Sequence, residues 1–331
     1  MENRKEDHLN LAFQSQISAQ DLDKRFFYEP MLSPHPVNAI PESDFCGKTM
    51  RLPIWVSSMT GGTQMAGIIN RNLARACNEF GMGMGLGSCR ILLDDNKHFA
   101  DFDMREIIGN DQPLWANLGI NQVETLLKLG KVDEISALVD KLRADGLFVH
   151  VNPFQEWFQP EGDRLRKSAI VTVQQLLELV RFPIIVKEVG QGMGYESLRQ
   201  LIGLPLAAIE FAAFGGTNFA SMELKRGGEA EREMFEPLAR IGHDAYQMLE
   251  MVNQIIDLGE NPVRCKQLII SGGIRSFLDG YYLVKKSKLP AVYGQASAFL
   301  KHARGDYETL RQYIQMQAKG LQMAYAFLRV R

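Results

Sequence analysis

IWVSSMTGGTQ, residues 54–64, decides between two folds. It begins as an apolar run, turns at a Gly-Gly pair and leads into a stretch with helical periodicity. An open, doubly wound sheet predicts a GxGxxG turn after its first strand. The turn here reads MTGGTQ instead. Beyond it the same alternation recurs. Apolar runs read as strands at IWVSS (54–58), MGMGL (82–86), LWANL (114–118), GLFVHV (146–151), PIIVKEV (183–189), LAAIEFA (206–212), QLIIS (267–271) and AVYG (291–294). Between them lie helix-period stretches such as TQMAGIINRNLARACNEF (63–80) and NQVETLLKLGKVDEISALVDKLRA (121–144). In the latter, Val123, Leu126, Leu127, Val132 and Leu138 fall at roughly helical spacing. Eight strands alternating with helices over about 250 residues predict a single (β/α)8 barrel, an α/β fold.

The barrel is expected over residues 51–331. Residues 1–50 lack clear periodicity and hold Pro30, Pro34, Pro36 and Pro41, which predicts an N-terminal arm of the same domain, wrapped over the barrel. One interval exceeds the barrel average. Residues 221–260, SMELKRGGEAEREMFEPLARIGHDAYQMLEMVNQIIDLGE, start charged and Gly-interrupted. They read as a loop after the sixth strand that folds over a site, followed by a helix.

Composition narrows the class. Of 331 residues, 46% are hydrophobic and 23% charged, as in soluble globular proteins. A net charge of −2 gives no overall basic field for nucleic acid. The four cysteines, Cys46, Cys77, Cys89 and Cys265, are scattered with no CxxC pair, which argues against a zinc site or a disulfide scaffold. The first residues, MENRKEDHLN, are too charged for a signal peptide. No apolar run reaches about 18 residues, so no membrane span is expected. The expectation is a soluble, cytoplasmic protein.

Chemistry in a barrel sits at the C-terminal ends of the strands. The unusual residues collect there: SSMTGG, GLGSCR, ANLGINQ, HVNPFQE, VKEVGQG, FAAFGGTNF, SGGIR and YGQAS follow the eight strands in turn. A Gly after one strand usually just makes a turn. Eight such ends together point to a site. SGGIR (271–275) and YGQAS (293–297) follow strands seven and eight, where barrels commonly bind phosphate on backbone N–H groups. Lys187, inside an apolar strand, would point into the mouth. There it would set a cation beside the edge of a flavin ring that gathers negative charge on reduction. Asn117 and Ser88 could hydrogen-bond a planar heterocycle, and Ser58, Met59, Thr60 and Gly61 could line another edge. One phosphate-bearing planar cofactor fits these features, which points to FMN.

Seven motifs in order then resemble one family: Arg4-Lys5 with His8, MTGG (59–62), ANLG (116–119), HVNPFQE…QPEGDR (150–164), VKEVG (186–190), GGTNF (215–219) and SGGIR (271–275). The sequence resembles the type II isopentenyl diphosphate isomerases, flavoproteins on an FMN-binding barrel, from RKEDHLNLA to about residue 304. The resemblance implies an isomerase of isoprenoid biosynthesis that interconverts isopentenyl and dimethylallyl diphosphate. It implies reduced FMN, Mg2+, and NADPH only as a reductant. Arg4 and Lys5, with His8 nearby, would hold the substrate diphosphate, and Arg90 would approach it. His150, Asn152 and Gln155 would sit against the substrate, with Glu223 near its isoprenyl end. Ser58, Met59, Thr60, Gly61, Ser88, Asn117, Lys187 and Thr217 would contact FMN. Gly272, Gly273, Gln295 and Ala296 would cradle its phosphate. Glu156 would bind magnesium, because a carboxylate beside a diphosphate repels it unless a divalent cation lies between them. The family's tetramers and octamers imply a homo-oligomer, with no nucleic acid or membrane partner.

The sequence departs from the family's pattern in places. Cys89 replaces the Gln of GSQR. Ser297 stands where many members have Arg, FAAF (211–214) replaces a Gly-richer stretch, and LPAV precedes strand eight in place of Gly-Ala-Asp. Two other readings share the barrel. One is an FMN oxidoreductase of the 2-hydroxy acid oxidase type, which wants a His base with carboxylate-gripping arginines. Of six His, only His8 and His150 fall in the suspected motifs. The other is a non-catalytic binder of flavin or isoprenoid diphosphate.

Overall fold

A computed structural model of the chain describes residues 2–37, 40–259 and 262–331. Eight parallel strands close into a barrel: β1 (Ile54–Val56), β2 (Gly83–Gly85), β3 (Leu114–Gly119), β4 (Gly146–His150), β5 (Ile184–Lys187), β6 (Ala208–Glu210), β7 (Leu268–Ser271) and β8 (Ala291–Gln295). Each pairs with its sequence neighbour, and β8 returns to β1 through Tyr293↔Ile54. The strands are buried on both faces, which explains their continuous apolar runs. All eight predicted strands are present. Most are shorter than the apolar runs because the run ends leave the ladder to build the mouth loops.

Two sequence readings need correction. The stretch 121–144 is two helices, Ile120–Lys128 and Val132–Lys141, not one. Gly130 takes the left-handed φ of 68° and ends the first. Its N–H meets the Leu127 carbonyl and the Lys131 N–H reaches back to Leu126, closing the helix end. The stretch 221–260 ends in the expected helix, but the part read as a loop is helical too. Helices Phe219–Arg226, Glu229–Ala239 and Ala245–Leu258 fill the stretch. The glycines that suggested a loop are breaks between helices, and Asp244 starts the last helix with a reciprocal side-chain cap to Gln247.

The floor of the barrel is a plug of rings. Trp55, Trp115 and Phe148 fill the interior with ring centroids about 6 Å apart, each 0% exposed. The hairpin Ser43–Phe45 and Lys48–Met50 closes the floor from below with Phe45 and Met50. Small residues make the room. A Cβ on Gly83 would lie 2.3 Å from the Trp55 ring, and one on Gly146 2.5 Å from Trp115. Asp145 ties hairpin to barrel, pairing with Lys48 at 2.7 Å and Arg105 at 2.9 Å.

The arm before the hairpin is less irregular than the sequence suggests. Helix Glu2–Leu11 opens it, and Phe26–Tyr28 pairs antiparallel with Leu328–Val330. Among the described residues no helix is long and apolar enough to cross a membrane.

Candidate active site

The row of residues across the C-terminal mouth is set by strand register. Gly119 pairs with His150, His150 with Lys187, and Lys187 with Glu210. Partners in adjacent parallel strands point the same way, so His150, Lys187 and Glu210 share the inner face. Gly119 contributes no side chain, and the space is taken by His150, whose Nε2 would lie 2.8 Å from a Cβ there.

Each member of the row has a distinct state. Asn117 donates its amide to the Leu86 carbonyl at 3.0 Å, which leaves its oxygen facing His150 Nδ1 at 2.8 Å. That oxygen can only accept, so Nδ1 carries the proton and Nε2 is the free acceptor. Burial, and then the Lys187 cation, push His150 down to about 3, so its ring is neutral. Lys187 is 7% exposed and donates to the Glu188 carbonyl at 3.1 Å. Burial pulls its ammonium below the ordinary lysine value. Glu188 points away and accepts the backbone N–H groups of Gly190, Gln191 and Gly192.

A cavity of about 480 Å³ opens beside this row. Ser58, Lys187, Glu210, Thr217, Gly272, Gly273, Gln295 and Ala296 line it, with Arg275 and Lys301 at its edge. Gly272 and Gly273, at φ 92° and 72°, hold a conformation that side chains rarely adopt, and Gly215 approaches Gly273 from the next loop. Glycines thus keep the wall of the cavity bare backbone. The Gln295 side chain bonds the Ile274 carbonyl and Gln317. Ser58 Oγ is buried without a partner.

Of the other residues expected around a planar ring, Met59, Thr60 and Gly61 form the turn after β1, half-buried, with Gly61 pressed on the Phe102 ring. Ser88 is exposed on the turn after β2, and Cys89 beside it is fully buried. These five do not line the cavity, nor does Asn117, whose amide is committed to Leu86 and His150.

Loop 150–164 carries a second polar network. Asn152 precedes the short helix Pro153–Phe158, with Pro at its first position. Its amide donates to Gln155 at 3.0 Å and to Glu156 at 3.1 Å, while its own Oδ1 is buried without a partner. Glu156 accepts a second bond from the Asp163 N–H at 2.9 Å. Gly162 makes this possible, since a Cβ there would lie 1.9 Å from the Glu156 carbonyl. Asp163 pairs with Arg90 at 3.2 Å. On the other side, Gln155 at 3.4 Å and Gln159 at 2.8 Å donate to Glu223, which also holds Arg226 at 2.6 Å. The inserted helices rest on the loop through Phe154, Phe158 and Phe235, stacked about 6 Å apart. The structure thus brings Arg90, Asn152, Gln155, Glu156 and Glu223 into one network in the segment that follows His150.

Arg4, Lys5 and His8 lie elsewhere in character. They sit exposed on helix Glu2–Leu11, and no hydrogen bond or ion pair links them to the mouth among the described residues. Sequence reasoning passed over Glu210, Ser57 and Ser271. An acid inside the apolar run LAAIEFA is the same signal that marked Lys187.

This mouth defines a class, a TIM barrel whose fold is that of FMN-dependent oxidases. A mandelate oxidase solved with an FMN adduct matches with a TM-score of 0.56 at 14% identity, covering 93% of this chain and 88% of that one. The flavin-binding domain of baker's yeast flavocytochrome b2 matches at 0.60 and 13% identity, over 91% of this chain and 71% of that one. No family model matches the chain. Sequence relatives are more specific. An isopentenyl-diphosphate delta-isomerase of Rickettsia felis is 33% identical over 95% of this chain and 88% of its own length. One from Vibrio campbellii is 33% identical over 97% and 93%, and one from Deinococcus radiodurans 36% identical over 74% and 72%. The chain belongs to the isopentenyl-diphosphate delta-isomerase family, and is an isomerase consistent with the type II enzyme.

Proposed function

We propose that the chain interconverts isopentenyl and dimethylallyl diphosphate, with reduced FMN in the cavity beside Lys187 and Mg2+ at Glu156. The observation that carries this reading is the meeting of two features at one mouth. A glycine-walled cavity with a buried cation adjoins an amide-and-carboxylate network, in a chain of this family.

The residues fit both groups. Gly272 and Gly273 offer backbone N–H groups to a phosphate, with Arg275 and Lys301 as countercharges. The unpartnered Ser58 Oγ can bond a ring edge, and Lys187 can offset negative charge on a reduced ring. No group of three or more His, Cys, Asp or Glu side chains stands ready for a metal among the described residues. That suits magnesium, which takes one or two protein oxygens and fills its shell with water and phosphate. Glu156 and the orphaned Asn152 Oδ1 are two such oxygens.

Bound FMN would supply an electron-rich face and a proton-transfer site against an alkene that is itself a very weak base. The chain's residues do the rest. Arg90 would offset diphosphate charge. Neutral His150 presents Nε2 as an acceptor, and Gln155, held between Asn152 and Glu223, can donate and accept beside the reacting carbon. The stacked Phe154, Phe158 and Phe235 shield the network from water. Arg4, Lys5 and His8 would close over the diphosphate as the helix that carries them moves onto it. The flavin would need NADPH only to be reduced once, and the protein would act as a cytoplasmic homo-oligomer.

The test is incubation with FMN, Mg2+, isopentenyl diphosphate and a trace of reductant, followed by product analysis. Dimethylallyl diphosphate should form in large excess over reductant consumed. Product strictly matching reductant or oxygen consumed would assign the barrel to oxidoreductase chemistry. No flavin retention and no product would leave it a binding protein.

A further inference from the structure

Glu210 is an acid where the barrel offers little to solvate one. It is 1% exposed and lines the cavity. Its Oε1 accepts two hydroxyl bonds, from Ser57 and, at 3.0 Å, from Ser271. Ser271 already accepts the Ala212 N–H at 2.9 Å, so its own proton is free to go to Glu210. The other oxygen, Oε2, is buried with no partner. An unpartnered carboxylate oxygen in a buried site is costly unless a cation shares its space. The register places Lys187 opposite Glu210 on the same inner face.

We propose that Glu210, clamped by Ser57 and Ser271, is a positioning residue whose carboxylate keeps Lys187 protonated at the cavity wall. The surroundings agree. From β4, neutral His150 offers Lys187 no charge. On its own strand, Glu188 is turned to three backbone N–H groups. Arg275 and Lys301, which also line the cavity, are cations and cannot help. Burial lowers Lys187, and Glu210 is the first of the two carboxylates that push it back, ahead of Glu188. Without Glu210, a lysine this buried would tend to shed its proton and lose the charge that makes it useful toward an anionic ring.

Register, burial and the unpartnered Oε2 carry the coupling of the two charges, while its use toward a flavin rests on the function proposed above. The experiment is therefore run on the full chain without flavin, so that failure of the pairing and failure of the flavin reading are separate results. Lysine 13Cε signals are followed against pH by NMR, and the Lys187 signal is assigned by its loss in Lys187→Arg. Glu210→Gln keeps the shape and removes the charge. It should lower the Lys187 pKa by about one unit or more, and Glu210→Asp, which retreats from Lys187, by less. Thermal melts confirm that the variants are folded. If neither variant folds, the wild type still decides, because the Glu210 carboxyl signal must shift as Lys187 titrates. A Lys187 pKa unchanged in folded Glu210→Gln, or a Glu210 signal blind to Lys187, overturns the proposal.

Discussion

The floor and the mouth of the barrel are made by the same strands and obey opposite rules. At the floor, each large ring has a glycine cut to fit it, Gly83 for Trp55 and Gly146 for Trp115, and the space is filled by apolar atoms. At the mouth, glycines leave space empty, and the groups left around it are charged or polar. Among the described residues, Ser58 Oγ, Asn152 Oδ1 and Glu210 Oε2 at the mouth lack partners. The floor is not wholly satisfied either. Trp55 and Trp115 Nε1 are unpartnered there, and nothing in the structure explains them. The contrast shows where stability is stored and where it is withheld for chemistry.

That contrast can be broken most forcefully at the floor. Trp115→Ala should cost about 3–5 kcal/mol, because a fully buried indole leaves a cavity that packed neighbours cannot close. Chemical denaturation reads the loss, and FMN affinity of the fraction still folded should be unmoved. A variant that keeps its stability and loses flavin would show that floor and mouth are one unit.

Acid probes the mouth next. The unfolded His150 ring titrates near its ordinary value of about 6.5, and the folded ring is pushed down to about 3. Between those values the unfolded chain binds a proton that the folded one refuses. This contribution is whole above about pH 6.5 and shrinks as pH falls, by up to about 1.4 kcal/mol per pH unit. His150→Gln should therefore show a shallower acid limb in urea midpoints measured from pH 7 to pH 4. Superimposable limbs would return His150 to an ordinary, solvated ring.

Lys187→Ala should weaken FMN binding about tenfold or more and make the bound flavin harder to reduce, since the anionic ring loses its cation. Fluorescence titration and a dye-coupled potential measure both. A floor substitution should do neither, and equal losses from the two would erase the distinction.

The finest comparison lies within the mouth. Glu156→Gln should lower kcat/KM and recover in part at high magnesium, because mass action offsets a weakened site. Gln155→Ala should lower kcat with no such rescue. Parallel magnesium curves for both variants and wild type would remove Glu156 from the metal site.

Much of this was legible before the fold was seen. Apolar runs gave all eight strands because a parallel barrel buries both faces of each. Lys187 stood out because a charge in such a run needs a reason. Glu210 carried the same mark, but only strand register shows that it faces Lys187. Gly130 and Gly227-Gly228 were ambiguous in sequence, since a helix cap and a loop use the same residue. The fit of Gly83 to Trp55 joins residues that no local pattern connects. The exposed setting of Arg4, Lys5 and His8 was equally invisible, because motif order says nothing of where an arm rests.

The strand pairing ahead of the hairpin ties the arm to a distant part of the chain. Phe26–Tyr28 joins Leu328–Val330, three residues against three, at opposite ends of the sequence. Apart from buried Phe26 the clasp lies toward the surface, so it is expected to open before the barrel does, as low-energy local unfolding. Its amides, on Phe26 and Val330 among others, should then exchange with solvent long before those of β3 or β4. The residues ahead of Phe26 could be released and recaptured many times during the life of one folded barrel, and the barrel would not register the change.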